Sequence, residues 1–326
     1  MFRTETLRVN LAYPSNQSEA GQSQPSGDFI GIQSAARTNL GQGGASADVD
    51  FPLRVQSPIR SNLGIINFTE RLTADRTYYI STTGSDSNNG LSASSPFLTP
   101  QKFADIAATL NRGIYRVIGQ FADGVYNTNP LLLKTGIGAL PIIFRGNISD
   151  NSAVIFRGSS GGTIRASNVR DTFDFQNIHF QNTANVPGIE LSGIINFCHG
   201  GCIFAPLGTE DQVKIDTRSI VTNQDPISLN WRNMTISGGS GRHVFLYGGA
   251  NYNFVLGTIT LINNASFSIE FVRATFAYAN FYGITVQGTA TGRRYTIDQG
   301  RIGPTFNSFS LPGSIDGVLL NGGVYG

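Results

Sequence analysis

The chain has 326 residues, of which 13% are charged, and a formal net charge of +2. With 22 Phe, 11 Tyr and 39 Gly it is too apolar and aromatic for a disordered chain, and its near-neutral charge predicts no nucleic-acid partner. No apolar run approaches the roughly 20 residues that span a bilayer. The start, "MFRTETLRVNLAYPSNQ", lacks the apolar core of a secretory signal, so we expect no membrane insertion.

Residues 1–76 differ in composition from the rest of the chain. The stretch "YPSNQSEAGQSQPSGDFIGIQSAARTNLGQGGASADVD" is rich in Gly, Ser, Gln and Ala, with too few large apolar residues to offset the entropy of ordering it alone. Short strand-like pieces such as "TLRVNLAY" and "PLRVQS" flank it. This pattern predicts a segment that orders on other chains or on a partner structure, with a disordered linker as the alternative.

The next stretch predicts one strand, one polar loop and one short helix. "TYYI", residues 77–80, combines Thr with aromatic and β-branched residues and predicts a strand, and "TGSDSNNG" predicts a turn-rich loop. Thr99 is a candidate N-cap, Pro100 stands at the first helical position, and Gly113 is a stop signal. The apolar positions recur at helical spacing: Phe103, Ile106, Ala107 and Leu110.

From residue 114 to about 300, short apolar runs recur between turn residues. Examples are "PIIFRGN", "AVIFRG", "ISLNW", "HVFLYG" and "RYTID", and comparable runs fall roughly twenty residues apart. Hairpin signals such as Asn-Gly are largely missing, which disfavours an antiparallel sandwich. The pattern predicts an all-β chain folded as a right-handed parallel β-helix, a solenoid whose exposed end the short helix caps.

Two stretches carry a resemblance. "LTADRTYYISTTGSDSNNGLSASSPFLTPQKFADI", with "FADGVY" and "PIIFRGN" after it, resembles the opening of β-helix proteins of the pectate-lyase type that phages and prophages encode. The terminal "LPGSIDGVLLNGGVYG" is similar to the glycine-rich tail that closes many of the same proteins. The resemblance covers residues 70–150 and the tail, while the middle strands match in style alone.

The resemblance implies a tailspike or tail-fibre protein of a virion. In such proteins the chain is usually a homotrimer. Residues 1–76 would then attach to virion tail or adaptor proteins, residues 77–300 would form a receptor-binding β-helix, and residues 301–326 would form a C-terminal tail. The implied partner is a host surface glycan.

Tailspikes that cleave polysaccharide usually carry two or three carboxylates in a groove, because glycoside hydrolysis needs an acid and a base or nucleophile. Lyases of this fold instead need a base and a cation. Five acidic residues stand in or beside predicted strands and are candidate catalytic residues: Asp174, Glu190, Asp216, Glu270 and Asp298. No local motif links them, and the alternative for each is a solvated or turn-capping carboxylate.

The histidines and cysteines do not form a recognisable site. His179, His199 and His243 have no partner motif, which favours hydrogen-bonded side chains over general bases. Cys198 and Cys202 in "FCHGGC" are too few for a disulfide scaffold or a zinc ribbon. We therefore expect buried thiols, no metal and no cofactor.

Aromatic and arginine side chains are candidates for sugar contact, because aromatic faces stack on pyranose rings and arginine donates paired hydrogen bonds. The candidates are Trp231, Arg232, Tyr247, Tyr252, Tyr278 and Tyr282. The alternative for each tyrosine is a core or subunit contact.

The leading hypothesis is a virion fibre that binds a host surface polysaccharide. A second hypothesis adds glycan cleavage by a hydrolase or a lyase on the same β-helix. A third is a structural fibre or decoration protein without a ligand. A carboxylate pair in an open groove would favour the second hypothesis, an aromatic-lined groove the first, and a featureless shaft the third.

Overall fold

The computed structural model describes residues 70–193, 196–206, 209–303 and 311–326. Most of the predicted attachment segment, residues 1–69, lies outside the described residues, and so do residues 304–310 of the predicted tail. In the described part, no helix is long and apolar enough to cross a membrane.

One α-helix and 24 strands occur in the described residues. The helix is α1, Pro100–Thr109. The strands are β1 (Arg76–Ile80), β2 (Val117–Phe121), β3 (Gly124–Thr128), β4 (Leu131–Leu132), β5 (Ile142–Arg145), β6 (Val154–Gly158), β7 (Ile164–Ser167), β8 (Thr172–Gln176), β9 (His179–Asn182), β10 (Ile189–Ser192), β11 (Asn196–Gly200), β12 (Cys202–Pro206), β13 (Asp211–Asp216), β14 (Ile220–Thr222), β15 (Met234–Tyr247), β16 (Asn251–Asn253), β17 (Thr258–Thr275), β18 (Tyr278–Asn280), β19 (Thr285–Gln287), β20 (Thr291–Gly292), β21 (Tyr295–Asp298), β22 (Arg301–Gly303), β23 (Val318–Leu320) and β24 (Val324–Tyr325).

The strands pair in long parallel ladders. The first ladder has the order β1-β2-β5-β8-β11-β14-β16-β18-β22-β24. The second runs β3-β6-β9-β12 and continues through the first halves of β15 and β17 to β19. The third runs β4-β7-β10-β13 and continues through the second halves of β15 and β17 to β21 and β23. The prediction of an all-β chain with parallel pairing is confirmed.

The chain visits the three ladders in turn, so that residues far apart in sequence meet on neighbouring strands. The contact between Glu190 and Lys214 spans 24 residues, that between Asp216 and Tyr247 spans 31, and that between Arg242 and Glu270 spans 28. These intervals are somewhat longer than the sequence pattern indicates, because the turns between ladders differ in length.

Alternation within each strand separates core from surface. In β6, Val154 and Phe156 are buried while Ile155 and Arg157 are half-buried, as expected where successive side chains point to opposite faces. The buried rings stack along the ladders. Phe175 lies 4.5 Å from the ring centroid of Phe144 and 4.8 Å from that of Phe197, and each such pair adds about 0.5–1.5 kcal/mol beyond its area burial.

Helix α1 forms where the sequence predicts it. The Thr99 side chain accepts a hydrogen bond from the Lys102 N–H at 3.1 Å, and the helix ends where Leu110 turns to extended backbone. Phe103 is fully buried, and its ring packs 4.9 Å from that of Phe144. Helix α1 contacts β1, β3 and β4, each of which begins a ladder.

The polar loop before α1 is organised by one carboxylate. Asp86 accepts hydrogen bonds from the N–H groups of Leu98 and Thr99, both at 2.9 Å, and from the Thr99 hydroxyl at 2.7 Å. The loop therefore positions the N-cap residue of α1.

One predicted strand is wrong. Residues 227–230, "ISLN", form a turn, because the Asp225 carboxylate accepts hydrogen bonds from the N–H groups of Ile227 and Ser228, both at 2.8 Å. Leu229 takes a left-handed φ of 59°, which a regular strand does not allow.

Candidate functional site

The outer face of the third ladder brings together charged side chains from neighbouring strands. Val213 and Ile215 of β13 point into the core, so the intervening Lys214 points outward. Its ammonium lies 2.8 Å from Glu190 of β10, and the guanidinium of Arg165 in β7 lies 3.2 Å from the other oxygen of Glu190. One half-buried carboxylate therefore bridges two cations from three successive strands.

Aromatic side chains continue this face. The Tyr247 hydroxyl donates a 2.5 Å hydrogen bond to Asp216, and this bond raises the pKa of Tyr247 to about 12. The ring of Phe245 stacks 5.3 Å from that of Tyr247. Lys214 lies 5.8 Å from the Tyr247 ring and Arg242 lies 4.8 Å from the Phe245 ring, within the range of cation–π attraction.

A groove of about 770 Å³ lies where the third-ladder strands end. It is lined by Asn168, Arg170, Gly193, Thr217, Arg218 and Gly248, which follow β7, β10, β13 and β15 in the chain. A shallower depression of about 410 Å³ begins at Gly249 and includes Phe276, Tyr278 and Arg301. The consecutive residues Gly248 and Gly249, which directly follow Tyr247 of β15, line the first and the second hollow respectively.

Two candidate catalytic residues, Glu190 and Asp216, lie near each other on this face. Asp216 pairs with Ser192 of β10, so Glu190 is one strand across and two residues along. Standard strand spacing then puts their Cα atoms about 8 Å apart. Asp298 lies further along the same line, since Tyr247 pairs with Thr275 and Thr275 with Asp298, and it accepts a 2.8 Å hydrogen bond from Asn321.

The other two candidate catalytic residues are buried in ion pairs. Asp174 has no exposed surface and accepts hydrogen bonds from Arg232 at 2.5 and 3.2 Å and from Gln176 at 2.6 Å. Burial raises the pKa of Asp174, and Arg232 opposes that rise. Glu270 is 3% exposed and is held by Arg242 at 2.6 Å and Thr296 at 3.0 Å. A carboxylate with no exposed surface and occupied oxygens cannot reach a glycan.

The candidate glycan contact Arg232 is used to cover a buried carboxylate. Its guanidinium pairs with Asp174 across 58 residues, and its Cδ lies 2.3 Å from where a Cβ of Gly200 would stand. Gly200 therefore leaves room for the arginine stem. Because its guanidinium is tied to a fully buried carboxylate, Arg232 is not available to bind sugar.

The predicted aromatic contacts are not brought together. Tyr252 is fully buried, with its hydroxyl 3.3 Å from His243, so its ring cannot stack on a sugar. Tyr278 is half-buried in β18 of the first ladder. Trp231 forms an isolated antiparallel bridge with Gln224 after β14, and Tyr282 lies in the turn that follows β18. Among the predicted aromatics, Tyr247 alone lies on the outer face of the third ladder.

The histidines and cysteines lie mainly inside. Cys198 and Cys202 are buried free thiols, as predicted, and burial raises the pKa of Cys198 to about 12. Burial lowers the pKa values of His199 and His243 to about 3. His243 contacts Gln212 at 2.5 Å, whereas neither ring nitrogen of His199 has a hydrogen-bond partner in the described residues. Within the described ranges, no three His, Cys, Asp or Glu side chains are placed to hold a metal.

Several residues of this site were missed by sequence reasoning: Arg165, Arg170, Lys214, Arg218, Arg242 and Phe245. A signal was present, because Arg165, Glu190 and Lys214 recur at almost constant intervals and at equivalent positions of short strands. Aligning the strands at that interval would have put these three side chains in one outward row.

Comparison with protein-family models, curated proteins and solved structures finds no match to the chain. What the protein does is therefore inferred from its own residues.

Proposed function

We propose that the protein is a parallel β-helix fibre that binds a surface polysaccharide along the outer face of its third ladder. The β-helix is supported by three parallel ladders that the chain visits in turn. We take its hand to be right-handed, because parallel crossovers almost always are. In this proposal α1 caps the core, since Phe103 fills the space between the first strands.

The observation that carries glycan binding is the combination of Tyr247 and Phe245 with flanking cations beside an open groove. Sugars present apolar C–H faces and many hydroxyl groups. Aromatic rings with adjacent planar donors and carboxylate acceptors match both features. A site that follows the ladder for several strands suits a polymer better than a small metabolite.

The virion assignment is supported by the resemblance of residues 70–150 and of the C-terminal tail to phage β-helix proteins. We accordingly propose a tailspike or tail fibre, attached to tail or adaptor proteins through residues 1–76 and assembled as a homotrimer. Light scattering should then give a mass near three times the 35.0 kDa of one chain. A stable monomer at micromolar concentration would contradict the trimer.

One observation favours the alternative, a glycan depolymerase. Glu190 and Asp216 lie on adjacent strands of one outward face, at a Cα separation of about 8 Å that is compatible with a pair of carboxylates acting on one glycosidic bond.

The test is to incubate the protein with purified bacterial surface polysaccharides and to measure both retention and chain length. We expect retention, and Tyr247→Ala should weaken it by roughly 1–2 kcal/mol, the scale for a stacking aromatic residue. Tyr79→Ala is the matched control, because Tyr79 is a half-buried tyrosine in β1 of the first ladder. Equal losses for both variants would contradict a site at Tyr247, and shortened chains would support the depolymerase.

A further inference from the structure

The groove beside the third ladder carries two arginines and no described acidic residue. Arg170 follows β7 and Arg218 follows β13, and both side chains are exposed. Two strand spacings separate β7 from β13, so the two residues stand roughly 10 Å apart along the ladder.

Neither arginine is neutralised within the described part of the chain, although nearby arginines are. Arg165 pairs with Glu190, and Arg242 pairs with Glu270. The carboxylates closest in sequence to the groove do not pair with these arginines. Asp171, next to Arg170, forms an ion pair with the buried Arg112 at 2.6 Å. Asp216 accepts a hydrogen bond from the Tyr247 hydroxyl. Arg170 and Arg218 therefore present guanidinium groups to the groove without an ion-pair partner in the described residues.

The backbone at Arg218 is held in an unfavourable conformation. Thr217 and Arg218 have φ values of 45° and 62°, in the left-handed region that costs a β-branched residue most. The turn is fixed by the Ser219 side chain, which donates to the Gly193 carbonyl, and by its N–H, which donates to the Asp216 carbonyl at 3.2 Å. Strain of this kind is concentrated at ligand-binding positions.

We propose that Arg170 and Arg218 form an oxyanion subsite, and that the bound polysaccharide is anionic. The inference rests on the proposed glycan-binding function and narrows its ligand to polymers that carry carboxylate or phosphate groups. A guanidinium offers two parallel N–H donors to either group, in a geometry that a neutral hydroxyl cannot match. Two such groups, two strand spacings apart along one ladder, suit a polymer that repeats its negative charge.

The experiment uses an array of purified bacterial surface polysaccharides that are neutral, uronate-bearing or phosphate-bearing. We expect the wild-type protein to retain anionic polymers. Carboxyl reduction or phosphate removal of a bound polymer should lower its affinity about 10-fold or more, since charge-assisted hydrogen bonds are lost. The treatment that lowers the affinity, carboxyl reduction or phosphate removal, identifies the anionic group that the protein binds.

The double variant Arg170→Gln/Arg218→Gln should lose the same affinity and should no longer respond to neutralisation of the polymer. The matched control, Arg145→Gln/Arg157→Gln, removes two arginines that hydrogen-bond glutamines in the other two ladders and should retain binding. Melting temperatures check that all variants fold.

The outcomes separate the two proposals. Retention of neutral and neutralised polymers at full affinity, or full affinity of the Arg170/Arg218 double variant for anionic polymers, overturns the oxyanion subsite and leaves glycan binding intact. Failure to retain any polymer overturns glycan binding itself, and the subsite with it.

Discussion

Asp174 and Asp216 show how the same residue type acquires opposite roles in two regions of this protein. Asp174 in β8 is fully buried and held by Arg232 and Gln176. Asp216 in β13 is half-buried and accepts one hydrogen bond, from Tyr247, beside an open groove. Both occupy short strands with similar alternation. Both carboxylates point outward, because Phe173 and Phe175 on either side of Asp174 are core residues, as is Ile215 beside Asp216. The residues that other parts of the chain bring alongside, such as Arg232 over Asp174, therefore decide how exposed each carboxylate is.

Charged groups around β8 and β11 affect stability, whereas those on the outer face of the third ladder are available for binding. In the interior around β8 and β11, charged and titratable groups lose their water and must find partners. Around Glu190 on the outer face of the third ladder, the ion pairs with Arg165 and Lys214 remain partly hydrated and contribute little to stability. Substitutions in the first region should therefore change the free energy of unfolding, and those in the second should change binding.

The largest expected effect is that of Asp174→Ala. It leaves the largely buried guanidinium of Arg232 without its carboxylate. Loss of one partner of a buried ion pair costs about 3–5 kcal/mol. Asp216→Ala, the matched variant on the outer face, should cost less than about 1 kcal/mol. Guanidinium chloride unfolding measures both. Equal losses would show that the two regions do not differ as proposed.

The second prediction concerns acid. Because burial lowers the pKa of His199 to about 3, the unfolded chain binds a proton below about pH 6.5 that the folded chain does not. Above pH 6.5, His199 therefore does not lower the free energy of unfolding. As the pH falls from 6.5 towards 3, it destabilises the fold by about 1.4 kcal/mol per pH unit.

His199→Phe should remove this contribution, since its ring packs among Phe204, Tyr252 and Phe254 and its nitrogens have no described partner. The difference in free energy of unfolding between the variant and the wild type should be about 2–3 kcal/mol larger at pH 4.5 than at pH 7, in favour of the variant. His243→Phe serves as the comparison, because it also breaks the contact with Gln212 and should be destabilising at pH 7. Identical pH profiles for wild type and His199→Phe would contradict the assignment.

The smallest expected effect is at the groove. Thr217→Gly removes the cost of a left-handed β-branched residue and should raise the free energy of unfolding by roughly 1 kcal/mol. Thr235→Gly in the regular strand β15 is the control and should lower it by a similar amount, because glycine weakens a strand. Thermal melts distinguish the signs. A loss of stability in Thr217→Gly would show that the turn is not strained.

Signals between residues close in the chain were enough to predict the local elements. Helix α1 follows from the Thr99 cap, Pro100 and the spacing of Phe103, and β1 from "TYYI", because these signals act between residues close in the chain. The short alternating runs, with few hairpin signals between them, determined parallel pairing as well. The turn at 227–230 was missed, since Asp225 captures two N–H groups that an apolar run would otherwise give to a strand.

Which side chains meet depends on contacts between residues far apart in the chain. Glu190 meets Lys214 across 24 residues, and Asp174 meets Arg232 across 58. Tyr247 is partly exposed while Tyr252, five positions later, is fully buried. These outcomes depend on strand register, and register depends on turns whose lengths vary from one passage to the next. A difference of one residue in a turn exchanges the inward and outward faces of a strand, so a pattern of apolar runs cannot specify the site.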